Sequence, residues 1–156
     1  MLSYKHGFHA GNHADVLKHV CLVYFLKSIK KSDNSIIYVD THSGGGLYNL
    51  DSLIMQKNRE YLTGIRKLID FKTENSFLKF YIKIIKNINK SNNINFYPGS
   101  PKIIQFLTDF KDELFFYELH NNEFKDLQKN FSTFSNIKIL NKDGFSLFNE
   151  RKINKN

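Results

Sequence analysis

Three carboxylates and one glycine run carry most of the chemistry available to this sequence. Asp40 closes an apolar run, Ile36-Ile37-Tyr38-Val39, and leads into Thr41-His42-Ser43-Gly44-Gly45-Gly46. Glu118 closes a second run, Leu114-Phe115-Phe116-Tyr117, and Asp143-Gly144 follows a third, Ile137-Lys138-Ile139-Leu140. A carboxylate at the end of a buried strand can accept hydrogen bonds from a ligand's hydroxyl and amino groups, or it can hold the adjoining loop. Glycines at that point let the chain turn tightly and let a ligand come close to the main chain. The plainer reading is a turn after a strand, since acids favour turns and helix N-termini. Gly44, Gly45 and Gly46 are consecutive, so no G-x-G-x-x-G is present, and no G-K-[ST] follows; a dehydrogenase-like dinucleotide binder is disfavoured and a P-loop is excluded. In Tyr97-Pro98-Gly99-Ser100-Pro101, Ser100 suits a helix N-cap with Pro101 as the first helical residue, which would aim free N–H groups at whatever lies there.

Four of the six histidines stand at positions 6, 9, 13 and 19. Metal binding is one reading of that count, but no cysteine or paired carboxylate completes a ligand set, and the spacing straddles a loop and a helix. Anion or RNA contacts, or hydrogen bonds that fix a loop, suit these residues better, and no metal is expected.

The elements that must position these groups follow from hydrophobic period. A helix is expected from about 14 to 31, with Leu17, Val20, Cys21, Tyr24, Phe25 and Ile29 facing the core and Asp15 in its first turn, where a carboxylate suits the helix dipole. Short β-branched and aromatic runs at 36–40, 114–118 and 137–140 read as buried parallel strands. A small helical insert is expected between the first two, about 47–95, with apolar patterns at 61–69 and 77–88. In its second helix Lys79, Lys83, Lys86 and Lys90 form one basic stripe, either a solvated face or an RNA contact. A further helix, about 122–131, turns Phe124, Leu127 and Phe131 inward, and an amphipathic start runs from 145 to 149. Strands alternating with helices give an α/β parallel sheet, which places Asp40, Glu118 and Asp143 along one edge.

The chain has 156 residues, enough for one domain with a real core, and its sequence shows no internal repeat or interdomain linker. Its formal net charge of +8 and pI of about 9.5 favour a polyanionic partner, nucleic acid before anionic membrane, although a lysine-rich genome would produce the same excess. The one cysteine, Cys21, allows no intramolecular disulfide and reads as a core residue in a reducing cytoplasm. No apolar stretch is long enough to span a bilayer and no signal-peptide pattern opens the chain.

A glycine loop after one strand and acids after three suit S-adenosylmethionine: the loop beside the methionine moiety, Glu118 on the ribose hydroxyls, Asp143 toward the adenine amino group. The sequence also resembles, motif by motif, the RlmJ-type bacterial 23S rRNA adenine-N6 methyltransferases. The resemblance is carried by Leu2-Ser3-Tyr4-Lys5-His6-x-Phe8-His9-Ala10-Gly11-Asn12-His13-Ala14-Asp15-Val16-Leu17-Lys18-His19, then Asp40-Thr41-His42-x-Gly44-x-Gly46 and Glu60-Tyr61-Leu62-x-Gly64-Ile65. Tyr97-Pro98-Gly99-Ser100-Pro101, Glu118-Leu119-His120 and Asp143-Gly144-Phe145 complete it, six motifs in one register up to about residue 148. It implies a Rossmann-like class I methyltransferase fold, here its first three strands with the helical insert. It implies a methyl donor held by His19, His42, Ser100, Glu118, Asp143 and Gly144, and Tyr4, His6 and Lys18 beside the substrate adenine and its backbone. It further implies 23S rRNA as partner, a cytoplasmic enzyme and a monomeric full-length form.

Ser43 stands where the family usually has alanine. The larger departure concerns Asp-Pro-Pro-Tyr, which the family carries after its fourth strand: the two prolines here, Pro98 and Pro101, do not form it. No catalytic acid is therefore assigned within this chain. Two readings stay open, an RNA adenine-N6 methyltransferase represented by its N-terminal portion, and a non-catalytic RNA- or nucleotide-binding remnant. In either case the 156 residues alone are expected to be inactive and prone to self-association.

Overall fold

The structure, a computed structural model, describes residues 6–30, 34–91 and 93–147. Parallel strands need crossover connections, and the chain supplies them. Strand β1 (Ile37–Asp40) pairs with β4 (Glu113–Tyr117), and β4 pairs with β5 (Ile137–Leu140), all parallel, in the order β1-β4-β5. Helix α6 (Asn121–Phe131) makes the second crossover. The three runs read as strands are thus the three strands of this sheet, and β1 lies at its edge.

A second, two-stranded antiparallel sheet had no counterpart in the sequence reading: β2 (Leu47–Asn49) pairs with β3 (Phe96–Pro98). Three residues each are too few to show a period of two. Between them lie α2 (Leu53–Asn58), a single 3₁₀ turn (Glu60–Leu62), α3 (Ile65–Ile69) and α4 (Ser76–Asn89). The pattern at 61–69 is therefore two short pieces, not one helix. Gly64 separates them because its α-carbon lies against the backbone of Gly11 and Asn12, where a side chain would collide. There the Ile65 N–H donates to the Gly11 carbonyl at 2.9 Å. Glu60 accepts from the Asn12 amide at 2.9 Å and lies 3.0 Å from His9 Nδ1. The Glu60–Ile65 motif thus clamps the N-terminal segment onto the insert.

Helix α1 (His13–Ile29) buries a face that meets the expected one only at Val20, which is half-buried against the core. Val16, His19, Val23 and Leu26 point inward, whereas Leu17 is 64% exposed and Phe25 60%, and Tyr24, Ile29 and Cys21 are also exposed. The helix is apolar nearly all round, so period alone could not choose between its faces. Asp15 stands in the first turn as expected, but it is buried. Helix α5 (Ser100–Leu107) is N-capped by Gly99 without a side-chain bond, so Ser100 is its first residue and not its cap. On α6, Leu127 and Phe131 are buried as expected, Phe124 only half so. The 145–149 start falls partly outside the described residues.

Two apolar cores result. One joins α1 to the insert through Val16, Val23, Ile65, Tyr81, Ile85 and Tyr97; the other packs Leu26, Ile104, Leu114, Phe116, Leu127 and Phe131 against the parallel sheet. Asp112 locks the far end of that sheet. Its carboxylate accepts from the Ile36 and Asp109 N–H groups and from Lys30 Nζ at 2.7 Å. Among the described residues, no helix is long and apolar enough to cross a membrane.

Candidate functional site

A cavity of about 430 Å³ opens at the C-terminal edge of the parallel sheet. Thr41, His42 and Gly44 line it from the loop after β1, Glu118, Leu119 and His120 from the loop after β4, and Asp143 and Gly144 from the loop after β5. His6 and Lys18 line it from the N-terminal arm and α1, and Glu123 from the first turn of α6. Parallel pairing produces this convergence, because it brings the ends of all three strands to one edge.

Glu118 ties two of the loops together. Its Oε2 accepts from the Gly44 N–H at 2.8 Å and its Oε1 from the His120 N–H at 2.6 Å. Each oxygen keeps acceptor capacity for a ligand hydroxyl. Asp143 is exposed, with Oδ1 accepting from the Phe145 N–H at 2.9 Å. Gly144 sits directly on the backbone of Thr41, where any side chain would clash. His42 is exposed, its Nδ1 2.9 Å from Thr41 Oγ1 and its ring edge-on to Phe145.

Asp40 holds the loop instead of lining the cavity. Its Oδ1 accepts from the His42 N–H at 3.1 Å. Burial raises its pKa, against the opposing pull of Ser100 and His42. Ser100 lies beside this carboxyl, behind the cavity wall. His19 is also off the wall: it is fully buried, with Nδ1 2.8 Å from Tyr97 Oη, which in turn lies 3.2 Å from Tyr81 Oη. Burial lowers the His19 pKa to about 3, although Asp15 pulls it upward. So His6, Lys18, His42, Glu118, Asp143 and Gly144 come together around one space, while His19 and Ser100 stand behind it. Tyr4 lies outside the described residues.

Two participants were missed in the sequence. Glu123 is a buried carboxyl on the cavity wall whose pKa burial raises. Tyr48 accepts from the Gly45 N–H at 3.0 Å and donates to Glu123 at 3.5 Å, bracing the glycine loop. A first-turn acid such as Glu123 looks like any dipole partner in sequence, and Tyr48 lies on a strand too short to be recognised. Among the described residues, no three His, Cys, Asp or Glu side chains are grouped to hold a metal.

A parallel α/β sheet whose C-terminal edge carries a glycine loop and acceptor carboxylates is a partial methyltransferase-like fold. Comparison with known proteins agrees. The model of the family described as ribosomal RNA large subunit methyltransferase D, RlmJ, matches residues 33–155, and the chain belongs to this family. It is 40% identical over 145 residues to ribosomal RNA large subunit methyltransferase J of Escherichia coli strain K12. It is also 40% identical over 146 residues to the Haemophilus influenzae protein of the same name. Each alignment covers 93% of this chain and 52% of the relative, so the chain spans about half the length of the curated relatives it matches. A crystal structure of a Legionella pneumophila protein superposes with a TM-score of 0.81 at 35% identity, covering 91% of this chain and 52% of that one.

Proposed function

We propose that this chain forms the donor-binding part of a Rossmann-like, S-adenosylmethionine-dependent methyltransferase that modifies the N6 amino group of an adenine in 23S rRNA. One observation carries the reading: the residues suited to the donor and those suited to RNA line the same cavity. Glu118 and Asp143 are acceptors, matching ribose hydroxyls and an adenine amino group, and Gly44, the one glycine of its turn on the cavity wall, presents no side chain to the methionine part. These side chains fit the donor by the chemistry of the set. His19 and Ser100 would act from behind the wall, His19 through its buried ring and Ser100 through Asp40. The donor, when bound, supplies an electrophilic methyl group.

On the opposite rim, His6 and Lys18 can meet the phosphates and base of a nucleotide flipped from its stack, with Tyr4 on the same arm. An adenine N6 lone pair is delocalised into the ring, so the base needs acceptors that orient its amino group. The Asp-Pro-Pro-Tyr that would supply them is not in these 156 residues. Holding one reactant supplies only part of the positioning that makes such a transfer fast.

The test is isothermal titration with S-adenosylmethionine on a protein of the relatives' full length. Glu118→Ala and Asp143→Ala are each expected to weaken binding by about 1–3 kcal/mol, the cost of a lost hydrogen bond to a buried ligand group. Unchanged affinity in both variants would remove the assignment of Glu118 and Asp143 to the donor, and no binding by the unaltered protein would favour the non-catalytic reading.

A further inference from the structure

In sequence Asp15 is an ordinary first-turn carboxylate, but the fold gives it a different place. Only 5% of it is exposed, and four groups converge on its two oxygens. Oδ2 accepts from the Gly11 N–H at 3.0 Å and lies 3.4 Å from His6 Nε2. Oδ1 lies 2.6 Å from Lys18 Nζ and 3.7 Å from His19 Nε2. Its own N–H is held by the Asn12 side chain at 2.9 Å. Serving the helix dipole requires none of these side-chain pairings, since that effect comes from a carboxylate's place in the first turn.

Lys18 and His6, both on the cavity rim, meet this one buried carboxylate. Lys18 is half-exposed on a flexible stem and would otherwise sample many rotamers. His6 lies in a short 3₁₀ turn, His6–Phe8, ahead of α1. We propose that Asp15 is a positioning residue that fixes the Lys18 ammonium and the His6 imidazole at the cavity rim, where an RNA phosphate and base would meet them. This rests on the reading of His6 and Lys18 as RNA-facing. The competing role is purely structural, in which Asp15 serves only to accept from Gly11. Asp15→Asn separates the two, because asparagine keeps the acceptor for Gly11 and loses the charge that holds Lys18 and His6.

The first readout needs no RNA. In the 156-residue chain, the Lys18 ammonium is expected to give a slowly exchanging signal in ¹⁵N-edited NMR, assigned by its loss in Lys18→Gln, and to lose that protection in Asp15→Asn. A Lys18 signal exchanging as fast as those of the surface lysines in the wild-type chain overturns the proposal, even if Asp15→Asn fails to fold. So does a protected signal that survives Asp15→Asn. The second readout is affinity for an oligoadenylate RNA in a double-mutant cycle. Asp15→Asn is expected to weaken binding about fivefold, and Asp15→Asn/Lys18→Gln to bind no worse than Lys18→Gln alone. Full additivity overturns a role exerted through Lys18. If the ammonium depends on Asp15 but Lys18→Gln leaves RNA affinity unchanged, the RNA reading of the arm fails and the positioning role falls with it.

Discussion

Lowering the pH should destabilise this protein well above the range where carboxylates titrate, and His19 is the reason. The ring is fully buried, and its pKa falls from 6.5 to about 3 because burial penalises the imidazolium more than Asp15 favours it. A histidine whose folded pKa is depressed binds its proton in the unfolded chain first. Stability is therefore intact above the unfolded pKa and is lost as the pH falls from 6.5 toward 3, where the loss levels off. One pH unit inside that window is worth about 1.4 kcal/mol, so going from about pH 7.5 to about pH 5 should cost about 2 kcal/mol. That is a sizeable part of a typical domain stability of about 5–15 kcal/mol. Urea unfolding at the two pH values would measure it, with His19→Gln as the control that keeps a polar partner for Tyr97 and removes the titration. The variant is expected to be less stable at neutral pH yet to lose about 2 kcal/mol less on acidification. Equal pH dependence in the two proteins would refute the reasoning, as would a His19 ring signal titrating near pH 6.5 in NMR. Below the ordinary carboxylate range a second loss should appear. Burial alone would raise the Asp112 pKa, but Lys30 and two backbone N–H groups lower it overall, so its contribution disappears as the pH falls through the depressed value.

The remaining predictions concern partners and turnover. The sequence has no acidic residue between Glu74 and Asp109, and Lys79, Lys83 and Lys90 are exposed with Lys86 half-buried. Replacing these four lysines by glutamine should flatten the salt dependence of RNA binding, because fewer counterions are displaced; an unchanged slope, even with Lys79 already paired to Glu74 at 2.7 Å, would make the stripe a solvated face. The 156-residue chain alone should transfer no label from radiolabelled donor to unmethylated 23S rRNA; label on an adenine N6 would mean that an orienting acid exists among these residues. The same chain should self-associate in sedimentation velocity, since β1 is an edge strand and α1 exposes Leu17, Tyr24, Phe25 and Ile29. A monomer at all concentrations would contradict that.

How much of this was legible in the sequence depended on range. The three parallel strands were readable because each is a dense apolar run, and their terminal acids were readable because a polar residue ending such a run stands out. The six motifs were readable for the same reason, being local and ordered. Glu118 and Asp143 needed only the rule that parallel strands end together, whereas His42 and Gly144 came from the family resemblance. What the sequence could not convey was which way an ambiguous surface turns. Helix α1 is apolar on two sides, and packing against Ile65, Tyr81 and Tyr97, up to 81 positions away, selected the face with Val16, His19 and Val23. That choice buried Asp15 and His19, moved Cys21 outward, and aimed Lys18 at the cavity. Glu60 and Gly64 could be recognised as a motif, but their work, holding Gly11 and Asn12, exists only once two segments about 50 positions apart are brought together. Local patterning thus determined the parallel strands, most of the helices and most of the acceptor groups. Contacts between distant segments decided which side chains became buried, charged or held, because burial and pairing are properties of the packed chain.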